Sequence, residues 1–279
     1  MIGVTGASGA LARLVTAELL ARVEPGELVL VTRTPEALPD AQKAGAHVRS
    51  GGFDDEAGLR DALRGVDRLL MISSVVTGPR RIEQHTTAAR AARAAGVGHV
   101  AYTSFVGAAE GNPAAVAADH LATERALEAS GMDVTLLRHS WYADVVANGL
   151  APRAVAEGRW VMNTGGGQVA PIARADAARV AAAVLTGEGH AGRAYDITGP
   201  GLTTVRELAD AAGVPYDDVD DAVMLAGFEA AGVPRATDLV SFGRAIREGW
   251  MAVRSDDVET LTGRPARPVR EMIREAVAR

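Results

Sequence analysis

Short apolar runs alternate with amphipathic helical runs through the first half of the chain, and this alternation constrains the fold more than any other feature. Such alternation is typical of βαβ units, in which crossover helices join parallel strands. The sequence therefore predicts an α/β fold with a doubly wound parallel sheet, the Rossmann arrangement, and right-handed crossovers. The predicted strands are Met1–Thr5, Glu27–Thr32, residues 46–52, Val66–Ser73, His99–Ser104 and Asp133–Arg138.

The helical runs carry end signals of their own. Thr34 followed by Pro35 predicts an N-cap and a first helical residue after the second strand. Farther along, Thr204 with Glu207 predicts a capping box, in which each residue hydrogen-bonds the backbone of the other. The longer helices predicted between the strands are Leu11–Val23, Asp54–Arg64, Arg80–Ala95 and Val116–Ser130.

The pattern becomes less regular in the second half of the chain. We expect residues 1–140 to form the sheet domain and residues 141–279 to form a smaller, mostly helical lobe over the carboxyl ends of the strands. A later strand at Ala194–Gly199 is expected to bring residues 170–200, approximately, back to the sheet. Asn163–Gln168 is predicted to be a glycine-rich turn.

Composition excludes several classes of protein. The chain has 279 residues, no cysteine and a formal net charge of −6, so a disulfide framework and a thiolate nucleophile are excluded and a nucleic-acid-binding surface is not expected. No apolar run approaches the roughly 20 residues of a membrane span. No His/Asp/Glu cluster has the spacing of metal ligands. We therefore expect a cytoplasmic globular protein that binds neither membrane nor metal.

The stretch VTGASGALARL joins the first strand to the first helix. Gly6 follows the strand directly, Gly9 comes three residues later, and Ala12 is small enough for the helix to pack closely. A turn that cradles a pyrophosphate needs this order of strand, residue without Cβ and helix N-terminus. A plain strand-to-helix turn is the alternative, but the position between the first strand and first helix of a doubly wound sheet favours dinucleotide binding.

The end of the second strand indicates which dinucleotide is bound. An acidic residue there would accept hydrogen bonds from a ribose 2′-hydroxyl, whereas this chain has Arg33, preceded by Thr32. A guanidinium forms charge-assisted hydrogen bonds to a phosphate. The alternative is a solvated surface arginine, but the position favours NADP(H) over NAD(H).

Together with the glycine turn and Arg33, the segments LLMISS, AAGVGHVAYTS and TLLRHSWY make the chain resemble the NmrA-like group of atypical short-chain dehydrogenases. Within that group it is similar to bacterial NADPH-dependent quinone oxidoreductases and triphenylmethane reductases. The resemblance implies NADP(H) at the carboxyl edge of the sheet, with Arg33 at the 2′-phosphate and Phe53 beside the adenine. The other residues that it places at the cofactor are Gly6, Ala7, Ser8, Gly9, Ala10, Leu11, Ser73 and Ser74.

The chain departs from this family pattern in two places. Gly52 stands where relatives often carry an aspartate, so Asp54 and Asp55 are candidates to replace it at the adenine edge. His139 stands where relatives tend to carry an asparagine, which bears on hydrogen bonding beside the nicotinamide and on the choice of acceptor.

The residues for acid catalysis also differ from those of typical short-chain dehydrogenases, which use Ser, Tyr and Lys. Ser104 occupies the serine position, but the helix that follows carries His120 and Glu124 instead of Tyr-x-x-x-Lys. Residues four apart lie on one helix face. Two interpretations remain open: a satisfied pair at a packed surface, or a proton donor whose pKa is raised by the carboxylate.

A quinone or a similar conjugated acceptor does not require the missing tyrosine, because water can protonate the product oxygen. An apolar or aromatic pocket that aligns the two rings is sufficient. The candidates for its wall are Phe105, His139, Trp141 and Tyr142, with core packing as the alternative. The predicted function is an NADPH-dependent oxidoreductase, and the alternative is a non-catalytic NADP(H) redox sensor of the NmrA type. A homodimer is one of the oligomeric states left open.

Overall fold

The computed structural model describes residues 1–278. It contains eleven strands, seven of which form one sheet and four of which form two small two-stranded sheets. The strands are β1 (Ile2–Thr5), β2 (Leu28–Thr32), β3 (His47–Ser50), β4 (Arg68–Met71), β5 (His99–Phe105), β6 (Asp133–His139), β7 (Trp160–Met162), β8 (Gln168–Val169), β9 (Ala194–Ile197), β10 (Thr203–Thr204) and β11 (Tyr216–Asp218).

The helices that connect these strands are α1 (Ala10–Leu20), α2 (Pro39–Lys43), α3 (Glu56–Ala62), α4 (Pro79–Ala95), α5 (Ala115–Glu128), α6 (Ala143–Val145), α7 (Ala151–Glu157), α8 (Arg174–Thr186), α9 (Val205–Ala212), α10 (Asp221–Ala230), α11 (Ala236–Arg247), α12 (Asp257–Thr262) and α13 (Val269–Val277). Short 3₁₀ turns cover Pro25–Glu27 and Pro35–Ala37, and a π turn covers Val146–Leu150. Within residues 1–278 no helix is both long enough and apolar enough to cross a bilayer.

The large sheet has the order β3-β2-β1-β4-β5-β6-β9, and the pairs around β1, from β3 to β5, are parallel. This order reverses direction at β1, as in doubly wound dinucleotide-binding folds. Every residue of β2 is buried, as expected for a parallel strand that is covered on both faces. The predicted doubly wound sheet is confirmed, and β9 joins it as the late strand Ala194–Gly199 was expected to do.

The chain divides into two compact units that interleave along the sequence. The first unit comprises Met1–Ser104, Asp119–Arg138 and Ala177–Tyr195; the second comprises Phe105–Ala118, His139–Asp176 and the chain from Asp196 onward. The part of α8 that belongs to the first unit lies within the stretch of about residues 170–200 that was expected to return to the sheet domain, whereas α5 is split between the units.

The second unit is mainly helical, with two small sheets formed by β8 with β10 and by β7 with β11. Its helix α9 begins with the predicted capping box: Thr204 accepts from the Glu207 backbone, and the Glu207 carboxylate accepts from the Thr204 backbone at 2.8 Å. A core of aliphatic and aromatic side chains, including Trp160 and Tyr216, packs around these elements.

The prediction that Thr34 caps an α-helix beginning at Pro35 is wrong. Only a 3₁₀ turn follows Pro35, and the Thr34 side chain makes no capping hydrogen bond. Its hydroxyl instead lies 3.3 Å from the hydroxyl of Ser8, in the glycine turn. The threonine is therefore used for a contact with the first strand-to-helix turn, which local sequence signals do not reveal.

The glycine-rich turn Asn163–Gln168 lies against helix α11 of the same unit. A Cβ atom at Gly167 would lie 2.1 Å from the carbonyl oxygen of Ile246, and one at Gly243 would lie 1.9 Å from Oδ1 of Asn163. Neither distance is compatible with a side chain at these positions. The glycines therefore permit close packing of a turn on a helix, which explains this turn without a bound ligand.

This contact predicts that substitutions at two neighbouring glycines have different effects on stability. Gly167→Ala should lower the free energy of unfolding by about 2 kcal/mol, because the backbone must move to admit the new methyl group. Gly166→Ala is the matched control, since nothing lies within 4 Å of a Cβ atom there, and it should change stability by less than about 0.5 kcal/mol. Equal denaturant midpoints for the two variants would contradict the packing argument.

Candidate functional site

The turn between β1 and α1 has the conformation that a pyrophosphate cradle requires. Gly6 has a φ of +62°, a left-handed conformation that favours glycine. The Ala7 N–H donates to the Val31 carbonyl at 3.0 Å, and the Gly9 N–H donates to the Gly6 carbonyl at 2.8 Å. The turn is thus tied to the neighbouring strand β2 and has a fixed shape.

The N-terminus of helix α1, the positive end of its dipole, has neither a side-chain cap nor an acidic residue in the first turn. Its N-cap is Gly9, which offers no side-chain cap, and the first turn contains no acidic residue. The first N–H groups of a helix lack intrahelical acceptors and attract anions. A Cβ atom at Gly9 would lie 3.1 Å from the Gly6 carbonyl, so glycine keeps this approach open. These features fit a bound diphosphate.

Arg33 extends from the end of β2 as an exposed side chain. No carboxylate within residues 1–278 lies at ion-pair distance from it. The hydroxyl of Thr32, the residue before Arg33, lies 2.9 Å from the hydroxyl of Ser8. A guanidinium without a carboxylate partner at this strand end fits a 2′-phosphate.

Gly52 lies close to the aliphatic stem of Arg33. A Cβ atom at Gly52 would lie 3.0 Å from Cγ of Arg33. The family departure at this position therefore leaves room for the aliphatic stem of the arginine. A larger residue would have to displace that stem.

Phe53 is half-buried and its ring lies nearly perpendicular to that of His85, with ring centroids 5.9 Å apart. The carboxylates expected to replace the missing aspartate have other partners. Asp55 caps helix α3 by accepting from the Gly58 N–H at 3.0 Å. Asp54 accepts from Gln84 at 2.9 Å and also pairs with Arg80.

Ser73 and Ser74 follow β4 at the same edge of the sheet as the glycine turn. The Ser73 N–H donates to the hydroxyl of Thr103 at 2.9 Å, and the Ser74 N–H donates to Nε2 of His85 at 3.0 Å. The Ser74 hydroxyl is buried and has no hydrogen-bond partner among residues 1–278. A buried hydroxyl without a partner costs about 1–3 kcal/mol, and a bound ligand would supply one.

His120 and Glu124 do share one face of α5, but their hydrogen bonds run to different elements. Both oxygens of Glu124 accept from Arg138, at 2.9 and 2.6 Å. Nδ1 of His120 lies 2.8 Å from the hydroxyl of Tyr102, and its Nε2 lies 3.2 Å from Nη1 of Arg81. The guanidinium of Arg138, and not the imidazole, therefore balances the charge of Glu124.

Ser104 is part of the Glu124 cluster. Its hydroxyl donates to Oε1 of Glu124 at 2.5 Å, and both residues are buried. The serine proton is directed at a carboxylate that is itself paired with Arg138. This arrangement supports a role in packing for Ser104, and its predicted catalytic role stays untested.

The partners of the two histidines assign their tautomers. Arginine and backbone N–H groups only donate, so Nε2 of His120 accepts from Arg81 and Nε2 of His85 accepts from Ser74. Each neutral ring then carries its proton on Nδ1. Burial, helped by the charge of Arg81, lowers the pKa of His85 to about 3, and burial raises the pKa of Tyr102.

The second unit holds the residues predicted to contact the acceptor. Phe105 and Trp141 both lie against Phe242 of α11, with ring centroids 6.1 and 5.5 Å apart. These are ordinary separations for interacting aromatic rings. Phe242 and Trp141 are half-buried. Sequence analysis missed Phe242, because nothing in the local pattern of α11 distinguishes it from a core residue.

His139 and Tyr142 form a second pair in this unit. Nδ1 of His139 lies 2.9 Å from the hydroxyl of Tyr142, and the Arg174 guanidinium lies 4.6 Å from the centre of the tyrosine ring. Burial lowers the pKa of His139 to about 4 and raises the pKa of Tyr142 to about 12. Nε2 of His139 is buried without a partner among the described residues.

Within residues 1–278 no three or more His, Asp or Glu side chains are grouped so that they could hold a metal ion. An open depression of about 550 Å³ belongs to the second unit and is lined by Asp218, Asp220, Asp221 and Arg247 together with two apolar residues. Arg247 donates to Asp221 at 2.9 Å, so this depression already contains its own counter-charge.

The tautomers and the low pKa of His85 predict a specific NMR signature. Long-range ¹H–¹⁵N spectra should show His85 and His120 protonated on Nδ1 alone at neutral pH. His85 should not titrate between pH 5 and pH 8. The unfolded chain takes up a proton on each histidine near pH 6.5, so His85 should make the free energy of unfolding decrease as the pH falls from about 7 toward 3. A protonated Nε2, or a His85 midpoint above pH 5, would contradict this network.

Comparison with known proteins shows the family to which the chain belongs. A family model described as NAD(P)H-binding matches residues 6–188. Quinone oxidoreductase 2 of Escherichia coli strain K12 is 34% identical, over 98% of this chain and 97% of that protein. The solved structure of an Escherichia coli NADPH-dependent quinone oxidoreductase complexed with NADPH matches with a TM-score of 0.93, at 33% identity and over 99% of each chain. Triphenylmethane reductase from Citrobacter sp., complexed with NADP(H), matches with a TM-score of 0.90, at 32% identity and over 99% of each chain. The chain therefore belongs to the NAD(P)H-binding family.

Proposed function

We propose that this protein is an NADPH-dependent reductase that transfers hydride to a quinone or a similar conjugated acceptor. One observation carries the proposal: the uncapped start of α1 follows a left-handed Gly6, and Arg33 has no carboxylate partner among the described residues. The relatives named quinone oxidoreductase and triphenylmethane reductase support the choice of reaction and acceptor class.

In this proposal the first unit binds NADP(H). Main-chain amides of residues 6–11 hold the pyrophosphate, other than those of Ala7 and Gly9, which donate to backbone carbonyls. Arg33 pairs with the 2′-phosphate. Phe53 lies by the adenine, and Ser73 and Ser74 line the cofactor beyond β4. The unpartnered hydroxyl of Ser74 supports this assignment, because a ligand atom would satisfy it.

NADPH supplies a hydride when it is bound, and the acceptor becomes a hydroquinone by taking that hydride and one proton. The hydrogen bonds of His120 and Ser104 favour the structural interpretation of both residues. An acid role for His120 would require it to release its bond to Tyr102. We therefore propose that water supplies the proton, and we keep the acid role as the alternative.

The proposed contacts for the acceptor are Phe105, His139, Trp141 and Tyr142, and we add Phe242 because its ring packs against both Phe105 and Trp141. Half-buried aromatic faces suit a planar acceptor. The unpartnered Nε2 of His139 offers a hydrogen bond to a polar group of the ligand. The proposal includes a small-molecule partner and a cytoplasmic location, and it leaves a homodimer open.

A redox sensor that binds NADP(H) without turnover is the second candidate. The observation that favours it is the burial of Ser104 and Glu124 in an ion-paired cluster, which leaves no obvious acid for a carbonyl substrate. The two candidates share the cofactor and differ in turnover, so one assay distinguishes them.

The assay follows NADPH oxidation at 340 nm with menadione or benzoquinone. The wild type should turn over, and Arg33→Asp should raise KM for NADPH by about tenfold or more while changing KM for NADH by much less. The reason is that the aspartate removes a charge-assisted bond worth about 1.5–3 kcal/mol and repels the 2′-phosphate.

Two further variants control for this result. Arg193→Asp makes the same charge change at an exposed position elsewhere in the first unit and should leave both KM values unaltered. Gly9→Asp places a carboxylate in the cradle and should abolish binding of both nucleotides. Tight NADPH binding without turnover would select the sensor, and equal losses for both nucleotides in Arg33→Asp would remove Arg33 from the 2′-phosphate.

A further inference from the structure

The segment that follows β4 is held by buried side chains at three consecutive residues. Strand pairing ends at Met71, yet each of the next three backbone N–H groups donates to a side chain of the first unit. The bonds run from Ile72 to Oγ1 of Thr5 (3.1 Å), from Ser73 to Oγ1 of Thr103 (2.9 Å) and from Ser74 to Nε2 of His85 (3.0 Å). A loop fixed in this way has little freedom to rearrange.

The third of these acceptors, His85, lies in the middle of α4 and is fully buried. Its neighbour on the same helix face, Arg81, donates from Nη2 to the Ser74 carbonyl at 2.9 Å. Both the N–H and the C=O of Ser74 are therefore held by side chains of α4. The peptide groups on either side of this residue cannot rotate without breaking one of these bonds.

His85 also contacts Phe53, in the loop after β3, which is another residue that we place at the cofactor. The Phe53 ring meets it at 85°, edge to face, with centroids 5.9 Å apart. A single imidazole thus touches Phe53, which follows β3, and Ser74, which follows β4. The two segments are separated in sequence and share this one buried contact.

The ring is fixed on its other side as well. Its Nδ1 lies 2.9 Å from the Thr123 hydroxyl, which donates to the Asp119 carbonyl at 2.8 Å. Because the Thr123 proton is used in that bond, Nδ1 of His85 donates and Nε2 accepts. Only the neutral ring with this tautomer can accept from Ser74.

We infer that His85 is a positioning residue for NADP(H): with Thr103, it holds the Ser73–Ser74 backbone and the Phe53 ring in the arrangement that the cofactor meets. The inference rests on the proposed function, in which Phe53, Ser73 and Ser74 are cofactor contacts. His85 itself touches neither the reacting atoms nor the acceptor in this account. Its replacement should therefore weaken cofactor binding and leave hydride transfer at saturation nearly intact.

The test compares His85→Leu with His85→Gln, because the glutamine Oε1 replaces the Nε2 acceptor and leucine does not. In the menadione assay, His85→Leu should raise KM for NADPH, and the Kd from fluorescence titration, by about tenfold, the effect of one lost buried hydrogen bond. Its kcat should stay within about twofold of wild type, a difference below 0.5 kcal/mol in the barrier. His85→Gln should recover most of the affinity.

Thr103→Val gives a second, nearly isosteric test in case His85→Leu does not fold. It removes the acceptor for Ser73 and should raise KM for NADPH in the same direction. Thr135→Val is its matched control, since Thr135 is a buried strand threonine whose hydroxyl bonds His99 and the His190 carbonyl instead. Thermal unfolding of each variant separates loss of binding from loss of fold.

Turnover by the wild type shows whether only the positioning role of His85 fails or the proposed function fails as well. If the wild type oxidises NADPH and the folded His85→Leu and Thr103→Val variants keep KM within twofold, the positioning role is overturned and the proposed function stands. An equal loss in His85→Gln and His85→Leu would also overturn it, because the acceptor atom would then be irrelevant. If the wild type neither binds nor oxidises NADPH, the proposed function itself fails.

Discussion

The attraction between a phosphate anion and an uncompensated helix start is the interaction on which the rest of this account depends. Helix α1 begins at a glycine, carries no acid in its first turn and follows a residue in the left-handed conformation. Its position beside β1 places it at the point where the strand order reverses, which is where doubly wound sheets bind ligands. The other residues that we propose as cofactor contacts follow neighbouring strands at the same edge of the sheet.

The buried polar residues that the sequence makes candidates for acid catalysis hydrogen-bond other side chains of the first unit. Ser104, Glu124 and Arg138 form one ion-paired cluster, and His120 belongs to a second cluster that includes Tyr102 and Arg81. Low-dielectric surroundings make each hydrogen bond in such clusters costly to break. Among these residues, Arg81 also donates to the Ser74 carbonyl, beside the proposed cofactor site.

Sequence patterns predicted the sheet because β and helix periodicities are local and repeat several times. They also singled out Arg33, because its place at a strand end follows from topology alone. Three features required tertiary information: the partners of His120 and Glu124, which come from strands and helices far away in sequence; the Thr34 hydroxyl, which turns to Ser8; and Phe242, which reaches Trp141 from α11. Spacing shows which residues share a helix face but not what that face meets.

A crystal structure of the protein with NADPH bound would test the central claim most directly. The account predicts pyrophosphate oxygens about 3 Å from main-chain nitrogens between Ser8 and Leu11, with the Arg33 guanidinium on the 2′-phosphate. NADPH bound at any other edge of the sheet, or a pyrophosphate held without those amides, would contradict the claim.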